Sequence, residues 1–338
     1  MMKSKFLPRL PCSPDETHVS WAGRLAALHS GGGLNPFLAD LNIPRNAFHY
    51  GYPDFVLQLC QIADQDPEPV LKNTILRAKT GHYKMGDKNF RSVMLMERLT
   101  KFCPKCLMED DPGGNRPHSN RRERLAWRFS SVHVCPIHHV FLMPDNVFSP
   151  ARQDFSERIP LCYQNLRLLS DSTKASTPSP LQSYLLNRIA GGRGPDWLDG
   201  HTIDQAVCGT EMLGAVLEFG CRADIQNMSI KDWHLAACTG WKYTSQGTSD
   251  LRTAFNAIQS NGPKVTRRRD INPGYRFGIF HHWMVLRSAQ NDAGPMRDVL
   301  LEHILATEPI TTARKVLGVR VRRNNIPLPR LDGQETTP

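Results

Sequence analysis

No run of apolar residues in this sequence is long enough to cross a membrane. The longest strongly apolar stretch runs from Phe277 to Leu286 and contains His281 and His282, whereas a membrane-spanning helix needs about 20 apolar residues. The first eleven residues include three basic ones but no apolar stretch, so they are not typical of a secretion signal. These absences predict a cytoplasmic protein with no membrane partner.

Acidic residues are in deficit, with 32 Asp and Glu against 42 Lys and Arg and a net charge of +10. This excess favours a polyanionic partner, and nucleic acid is the first candidate, although solubility alone would account for it equally well. Hydrophobic residues make up 40% of the chain, which excludes a disordered chain or a simple charged arm. The length of 338 residues suggests two domains.

Convincing strand patterns are few, and there is no repeat of fixed period. Instead, capping residues followed by apolar residues three or four apart predict short helices. In the first hundred residues such helices begin at Ser13, Asn35, Pro53 and Asp66. Helical spacing returns after residue 180, in the ranges 181–190, 202–219, 276–290, 295–307 and 311–319. The predicted fold class is therefore mainly α.

Cysteine occurs nine times, and in a reducing cytoplasm a close pair is expected to hold metal rather than form a disulfide. Cys103 and Cys106 form one C-x-x-C pair, and Cys135 and His138 form a second pair with the same gap. Two such tight turns complete a closed Cys₃His set, which suits one structural Zn²⁺ because this ion prefers four nitrogen or sulfur ligands.

Two alternatives to this ligand set stay open. His139 could replace His138, and His133 is a weaker substitute. A redox C-x-x-C is the other interpretation of Cys103 and Cys106, but it would not need the second pair.

Shifts in composition divide the chain into four parts. Residues 1–100 form an N-terminal helical part, and 101–150 form the zinc-finger part, an inserted zinc ribbon. Residues 151–180 end in a cluster of Ser, Thr and Pro typical of a linker. Residues 181–338 form a helical C-terminal domain.

The two metal pairs belong to a longer pattern. It consists of Phe102-Cys-Pro-Lys-Cys-Leu-Met-Glu-Asp110, Trp127, and Val134-Cys-Pro-Ile-His138 with Leu142, preceded by Leu10-Pro11, Asp15-Glu16 and Ser20-Trp21-x-x-Arg24-Leu25-Ala26. Over about residues 8–145 this combination resembles the TniQ/TnsD family of transposon target-selection proteins, most of all TniQ of CRISPR-associated transposons. The gap between its metal pairs is longer than in shorter members, with the extra length in Asp111 to Arg124. A second zinc motif that some members carry has no counterpart here, since Cys162 stands alone.

The resemblance implies a non-catalytic adaptor. Members of this family mark the target and recruit the transposon's AAA+ ATPase (TnsC-like), which then admits the transposase. Longer TnsD-type members bind a DNA site directly, whereas TniQ of CRISPR-associated transposons docks on an RNA-guided, Cascade-like effector complex, in some systems as a homodimer. A bacterial cytoplasmic protein that associates with the nucleoid when bound is expected on the same grounds.

The C-terminal residues offer a second DNA-binding pattern. Residues 310–319 combine a capping Thr311 with Gly318, which permits a turn, and predict the first helix and turn of a helix-turn-helix. A recognition helix would start at Arg320, and Pro327 would cut it short. A helical hairpin used for packing or protein contact is the alternative.

Basic residues in three places are candidates for nucleic-acid contacts. They are Arg121, Arg122 and Arg124 near the finger, Lys264 with Arg267, Arg268 and Arg269, and Arg320 with Arg322 and Arg323. Solvated charged loops would look the same in the sequence. The short predicted helix favours a protein or effector-complex contact for the last group.

Three classes of function compete: the transposition adaptor, a stand-alone zinc-containing protein that binds a specific DNA sequence, and an enzyme such as a zinc-assisted nuclease. An enzyme needs an open metal position or converging carboxylates. Here the metal set is closed, and Glu109, Asp110 and Asp111 are expected in a loop without partners. The sequence therefore favours an adaptor that is not an enzyme.

Overall fold

The computed structural model describes residues 6–96, 101–144, 155, 166–262, 273–285, 293–308 and 314–321. Residues 1–178 and 179–338 form two compact units, which we call unit 1 and unit 2. The prediction of a mainly helical chain is confirmed, because helices outnumber strands in the described part of each unit. No helix within these described ranges is long and apolar enough to span a bilayer.

Unit 1 opens with five short helices: α1 (His18–His29), α2 (Leu34–Asp40), α3 (Arg45–His49), α4 (Pro53–Ala63) and α5 (Pro67–Lys72). As predicted, Pro53 opens α4 and Asp66 caps α5, since a proline in the first turn lacks only an N–H that the helix does not use. The apolar faces meet in one core, where Trp21, Leu38 and Phe48 are fully buried.

The first helix begins later than predicted. Thr17, not Ser13, is its N-cap, and the Ser20 amide donates a hydrogen bond to Thr17 Oγ1 at 3.1 Å. Ser13 and Glu16 instead close a tight turn ahead of the helix, in which the Ser13 amide donates to Glu16 Oε2 at 3.2 Å. Only the start of the helix was predicted wrongly, because the turn from Ser13 to Glu16 precedes the helix and Thr17 caps its first turn.

A three-stranded antiparallel sheet follows the helices, with strands β1 (Leu76–Lys79), β2 (His82–Met85) and β3 (Lys88–Arg91) in the order β1-β2-β3. The spacing of apolar residues suggested that helix α5 continues through Leu76, but Leu76 begins β1. Gly81 and Gly86 lie at the two turns with φ of 73° and 56°, and this conformation suits glycine. These two glycine turns fold the segment into strands. The expectation of few strands overlooked this sheet.

The metal-binding part of unit 1 contains short elements. These are β4 (Lys101–Phe102), α6 (Pro104–Asp110), α7 (Pro117–Asn120), β5 (Met143–Pro144) and α8 (Leu166–Ser172), with β4 and β5 paired antiparallel. The segment expected to be a linker has structure of its own: α8 lies within it, and Ala175 forms an isolated β-bridge with Val140. Backbone pairing holds this segment to the zinc-finger part of unit 1.

Unit 2 consists of seven helices and a hairpin in its described residues. They are α9 (Pro180–Ile189), α10 (Asp196–Asp199), α11 (Ile203–Phe219), α12 (Ile230–Thr244), α13 (Thr248–Asn261), α14 (Pro273–Val285), α15 (Pro295–Thr307), β6 (Arg314–Val316) and β7 (Val319–Val321).

Helices α11 and α12 pack at very close range. A Cβ on Gly214 would lie 1.8 Å from the Ala236 carbonyl oxygen, and one on Gly240 would lie 2.0 Å from the Thr210 carbonyl oxygen. The absence of these side chains lets the two backbones touch, and the buried hydroxyls of Thr210 and Thr244 bond to each other at 2.9 Å. The buried face of α12 consists of small residues. It therefore lacks the regular spacing of large apolar residues from which a helix could have been predicted.

The predicted helix-turn-helix is corrected by the structure. Residues 314–321 form a β-hairpin in which Val316 pairs with Val319 across the turn Leu317-Gly318. Both turn residues have positive φ, 47° and 78°, as in the two-residue turns that match the twist of antiparallel strands. The β-branched Val316, Val319 and Val321 favour strands. Residues 309–313 and 322–338 lie outside the described residues.

Candidate metal centre

The first metal pair lies at the start of a helix. Cys103 is the N-cap of α6, Pro104 occupies its first position, and Cys106 lies in its first turn. A proline here fixes the backbone for helix entry without removing a needed N–H. Because the first helical turn brings residues three apart to one side, both sulfur atoms lie near the same point.

The second pair lies in a tight turn between two extended segments. The Cys135 amide donates to the Val140 carbonyl at 2.8 Å, and the His139 amide donates to the Cys135 carbonyl at 3.0 Å. His139 takes a positive φ of 53° and its side chain is exposed. The turn therefore directs His138, and not His139, toward the cysteines.

Cys103, Cys106, Cys135 and His138 form one cluster, in which all four ligand atoms lie within 4.8 Å of one another. The Sγ atoms of Cys106 and Cys135 are 3.6 Å apart, and His138 Nδ1 lies 3.2 Å from Cys106 Sγ. The three cysteines are fully buried and His138 is half-buried. The four residues predicted from the sequence are thus brought together, while His133 and His139 lie outside this cluster.

The three cysteine sulfur atoms lie so close together that they can all be thiolates only if a cation lies between them. The hydrogen bonds of Cys106 with Cys103 and Cys135, together with burial, raise the pKa of the Cys106 thiol. A bound metal ion reverses this effect, because it stabilises the thiolate directly. The cluster can therefore hold a metal ion, and its third sulfur and its imidazole distinguish it from a two-cysteine redox pair.

Glu109 supports the imidazole from outside the cluster. His138 Nε2 donates to Glu109 Oε1 at 2.8 Å, which leaves Nδ1 directed at the sulfur atoms. Such a carboxylate fixes the tautomer and the ring orientation of a ligand histidine. The expectation that Glu109 has no partner was wrong, because Glu109 lies on α6, one turn beyond Cys106 and facing His138.

Lys101 joins the two halves of the site. Its buried Nζ donates to the carbonyls of Phe129, Ser130 and Val132, at 2.7, 2.8 and 2.6 Å. Lys101 lies two residues before Cys103, and the three carbonyls precede Cys135. One ammonium group thus fixes the approach of both metal pairs, which the sequence pattern did not reveal.

The arginines at positions 121, 122 and 124, between the two metal pairs, do not form a solvated loop. The Arg124 guanidinium bonds to both carboxylate oxygens of Asp110, at 2.9 Å for one of them, and Arg121 lies 3.8 Å from Asp111. Arg122 Nε lies 3.4 Å from an Asp110 oxygen, and this side chain is half-buried. Arg121 and Arg124 are buried, so these two guanidinium groups are not part of an exposed loop. The carboxylates of Asp110 and Asp111, which were expected to lack partners, hold these guanidinium groups in the interior of unit 1.

The segment that carries these arginines docks on the first helix. We call residues 119–125 the docking segment. Thr17 Oγ1 donates to Glu123 Oε2 at 3.0 Å, the Glu123 amide donates to Ser20 Oγ at 2.9 Å, and Arg24 Nε donates to the Ser119 carbonyl at 2.8 Å.

A buried ion pair lies under the docking segment. Arg24 Nη1 lies 2.5 Å from Glu16 Oε2, and the two side chains are 8% and 0% exposed. Ser20 Oγ donates to the other Glu16 oxygen at 2.8 Å. Burial raises the pKa of Glu16 and the charge of Arg24 opposes this effect, so the pair depends on both partners. The Asp15-Glu16 and Ser20-Trp21-x-x-Arg24 motifs thus serve to join α1 to the metal-binding part.

The remaining predicted site residues are not gathered into this site. Arg320 is exposed on strand β7 of unit 2. Lys264, Arg267, Arg268, Arg269, Arg322 and Arg323 lie outside the described residues. The Trp21 and Trp127 side chains are core residues, as predicted, with 0% and 1% exposure.

Comparison with known proteins gives one family. The family model TniQ matches residues 7–142, a range that begins before α1 and ends after the second metal pair. Comparison with curated proteins gives no match.

Proposed function

We propose, from the TniQ-family domain that residues 7–142 form, that this chain is a non-catalytic targeting adaptor of a transposon. TniQ domains belong to a family of transposition-associated adaptors without catalytic activity. In this proposal the chain links target DNA, or an RNA-guided CRISPR effector complex, to a TnsC-like AAA+ ATPase that regulates transposition.

The observation that supports this proposal most strongly is the docking of residues 119–125 on α1. This docking joins an early and a late part of the family match within unit 1, because Thr17, Ser20 and Arg24 bond to residues about a hundred positions later. The motifs that suggested the family are therefore parts of one structure and not scattered coincidences.

The Cys₃His cluster is proposed to hold one structural Zn²⁺. Three sulfur atoms and one imidazole nitrogen match the ligand preference of this ion. All four positions are supplied by the chain, so the metal would stabilise the fold and would not activate water. Lys101 and Glu109 would hold the ligands in place.

We also propose a division of labour between the two units. Unit 1 carries the part shared across the family, so it is the better candidate for the ATPase contact that members have in common. Unit 2 would face the target side, where members differ, and a homodimer is compatible with both contacts.

A pull-down with tagged full-length protein tests the proposal. The bait is mixed with a TnsC-like AAA+ ATPase and, separately, with a Cascade-like RNA-guided complex. Fragments 1–178 and 179–338 then locate each contact, with circular dichroism and zinc content as controls of folding. Binding of the ATPase by 179–338 but not by a folded 1–178 would reverse the division of labour. Failure of the full chain to bind the ATPase would contradict the adaptor function.

The alternative function, a stand-alone protein that binds a specific DNA sequence, is not supported by the C-terminal fold. Its recognition helix was to begin at Arg320, but this residue lies in a β-strand. Nanomolar, sequence-selective binding of the isolated protein to one duplex at physiological salt would restore that alternative.

A further inference from the structure

The β1–β3 sheet has one face directed into unit 1 and one directed outward. Phe90 and Met85 are each 4% exposed, and the Phe90 ring packs edge-on against Phe129 with centroids 5.9 Å apart. Tyr83 pairs with Phe90 in the register, and their rings stack. Because side chains alternate along a strand, the residues between these positions point outward.

The outward face is basic. Lys84 lies between Leu76 and Asn89 in the register, and His82 lies between Lys79 and Arg91. Lys79 and Lys84 are exposed. None of these outward positions is acidic. In residues 72–91 there are six Lys and Arg and one acidic residue, Asp87, which lies 2.6 Å from Lys88.

Protection of sheet edges explains Lys79 on the edge strand β1 but not the whole charge of this face. Lysines on edge strands prevent pairing with other chains, but Lys84 lies on the central strand β2. Cations of one sign on a small surface also repel one another and destabilise the fold. An anionic partner would remove this repulsion.

We propose that the outward face of β1–β3, which carries Lys84 on its central strand and Lys79 on its edge, binds the phosphate backbone of duplex DNA without reading its sequence. The face measures about 13 Å along the strands and about 10 Å across them, which suits a few neighbouring phosphates. It presents no Phe, Tyr or Trp among its described residues to stack on unpaired bases, which single-strand binding requires. It also lacks the aromatic anchors typical of protein interfaces. This surface goes beyond the adaptor function, and it could act whichever partner selects the target.

Duplex binding by the full-length, metal-loaded protein tests the proposal. The variant is Lys79→Gln/Lys84→Gln, and the matched control is Lys174→Gln/Lys242→Gln, which removes the same charge from exposed lysines elsewhere. Binding constants for two short duplexes of unrelated sequence are measured between about 50 and 200 mM salt. Unchanged metal content and melting temperature show that each variant is folded.

The expected result is equal affinity of the wild type for the two duplexes and a clear loss in the Lys79/Lys84 variant. Each lost phosphate contact flattens the plot of log affinity against log salt by about 0.9, so the double variant should lose about 1.8 in slope while the control keeps the wild-type slope. An unchanged slope in the variant, or an equal loss in the control, overturns the proposal. Preference for a single strand over the duplex overturns it as well.

Discussion

Individual side chains in unit 1 fix the geometry of the metal cluster. Lys101 joins the two approaches to the cluster through three carbonyls, and Glu109 orients the imidazole of His138. Three buried sulfur atoms this close together ionise together only beside a cation, so the fold of this part and a bound ion depend on each other.

Replacement of Cys106 by Ser should remove the metal and unfold this part of unit 1. A structural zinc site supplies on the order of 10 kcal/mol in isolated fingers, and three ligands hold the ion far more weakly than four. Zinc content after purification without chelator, together with thermal melting, measures the effect. Cys238→Ser, a half-buried cysteine of α12 outside the cluster, is the control. Equal metal content and melting in both variants would contradict the ligand role.

His303 should make the protein less stable in mild acid. Burial, aided by the charge of Arg252, lowers the pKa of His303 to about 4 from its ordinary 6.5. The unfolded chain therefore takes up a proton first as the pH falls. This stabilisation is complete above pH 6.5 and is lost between pH 6.5 and 4. The part lost by pH 4.5 is at most about 2.5 kcal/mol.

His303→Gln tests this pH dependence, because an amide can still donate to Gln259, which accepts from His303 at 2.9 Å. Thermal melting at pH 7, 5.5 and 4.5 is compared with the wild type. The variant should lose less stability on acidification. A parallel loss in both proteins would show that other groups control the acid response.

At the scale of elements, the docking segment and α1 depend on each other. Arg24→Met leaves the Glu16 carboxylate buried without its cation and should destabilise unit 1 by about 3–5 kcal/mol. Arg9→Met is the control, because Arg9 pairs with Asp64 at the surface with 60% of its side chain exposed, and such pairs contribute less than about 1 kcal/mol. Chemical denaturation measures both. Similar small losses would show that the buried pair is not needed.

The close packing of α11 and α12 makes a second prediction for an element. Gly214→Ala places a methyl group against the Ala236 backbone, so the helices must separate, and we expect a loss of about 1–3 kcal/mol or more. Gly209→Ala, in the same helix, would meet only the end of the flexible Met296 side chain at 2.8 Å and should cost less. Denaturation midpoints compare the two, and a larger loss for Gly209→Ala would contradict the packing argument.

Local patterns predicted local features well. The metal pairs were found because each lies within four residues, and helices α4 and α5 because a proline or a cap marks their start. The sheet was missed because its signals are two glycine turns and not an apolar pattern. The C-terminal helix-turn-helix was wrong because Thr311 and Gly318 can equally flank a hairpin, and the alternating valines decide between them.

Long-range pairing is what the sequence did not disclose. Arg121 and Arg124 look like surface charges because their partners, Asp111 and Asp110, seemed to lie in a loop. Only the three-dimensional structure shows that the carboxylates and guanidinium groups face each other in the interior. Charge counts alone cannot distinguish such internal pairs from exposed lysines such as Lys79 and Lys84 of the β1–β3 sheet.

At the scale of the whole molecule, the chain consists of two compact units. Only unit 1 contains a metal cluster among the described residues. Removal of the metal with a chelator should therefore weaken one unit and leave the helices of unit 2 in place. Differential scanning calorimetry should show one transition that moves to lower temperature and a second that does not. A single transition that shifts as a whole would contradict the separation.

The docking of residues 119–125 on α1 also has a consequence during synthesis on the ribosome. Helix α1 leaves the exit tunnel long before Glu123 is translated, and at about 5–20 residues per second the delay is roughly 5–20 s. During that time the polar side of α1 has no docking segment to cover it. A chaperone that shields a nascent N-terminus would therefore act on this protein before its finger has been made.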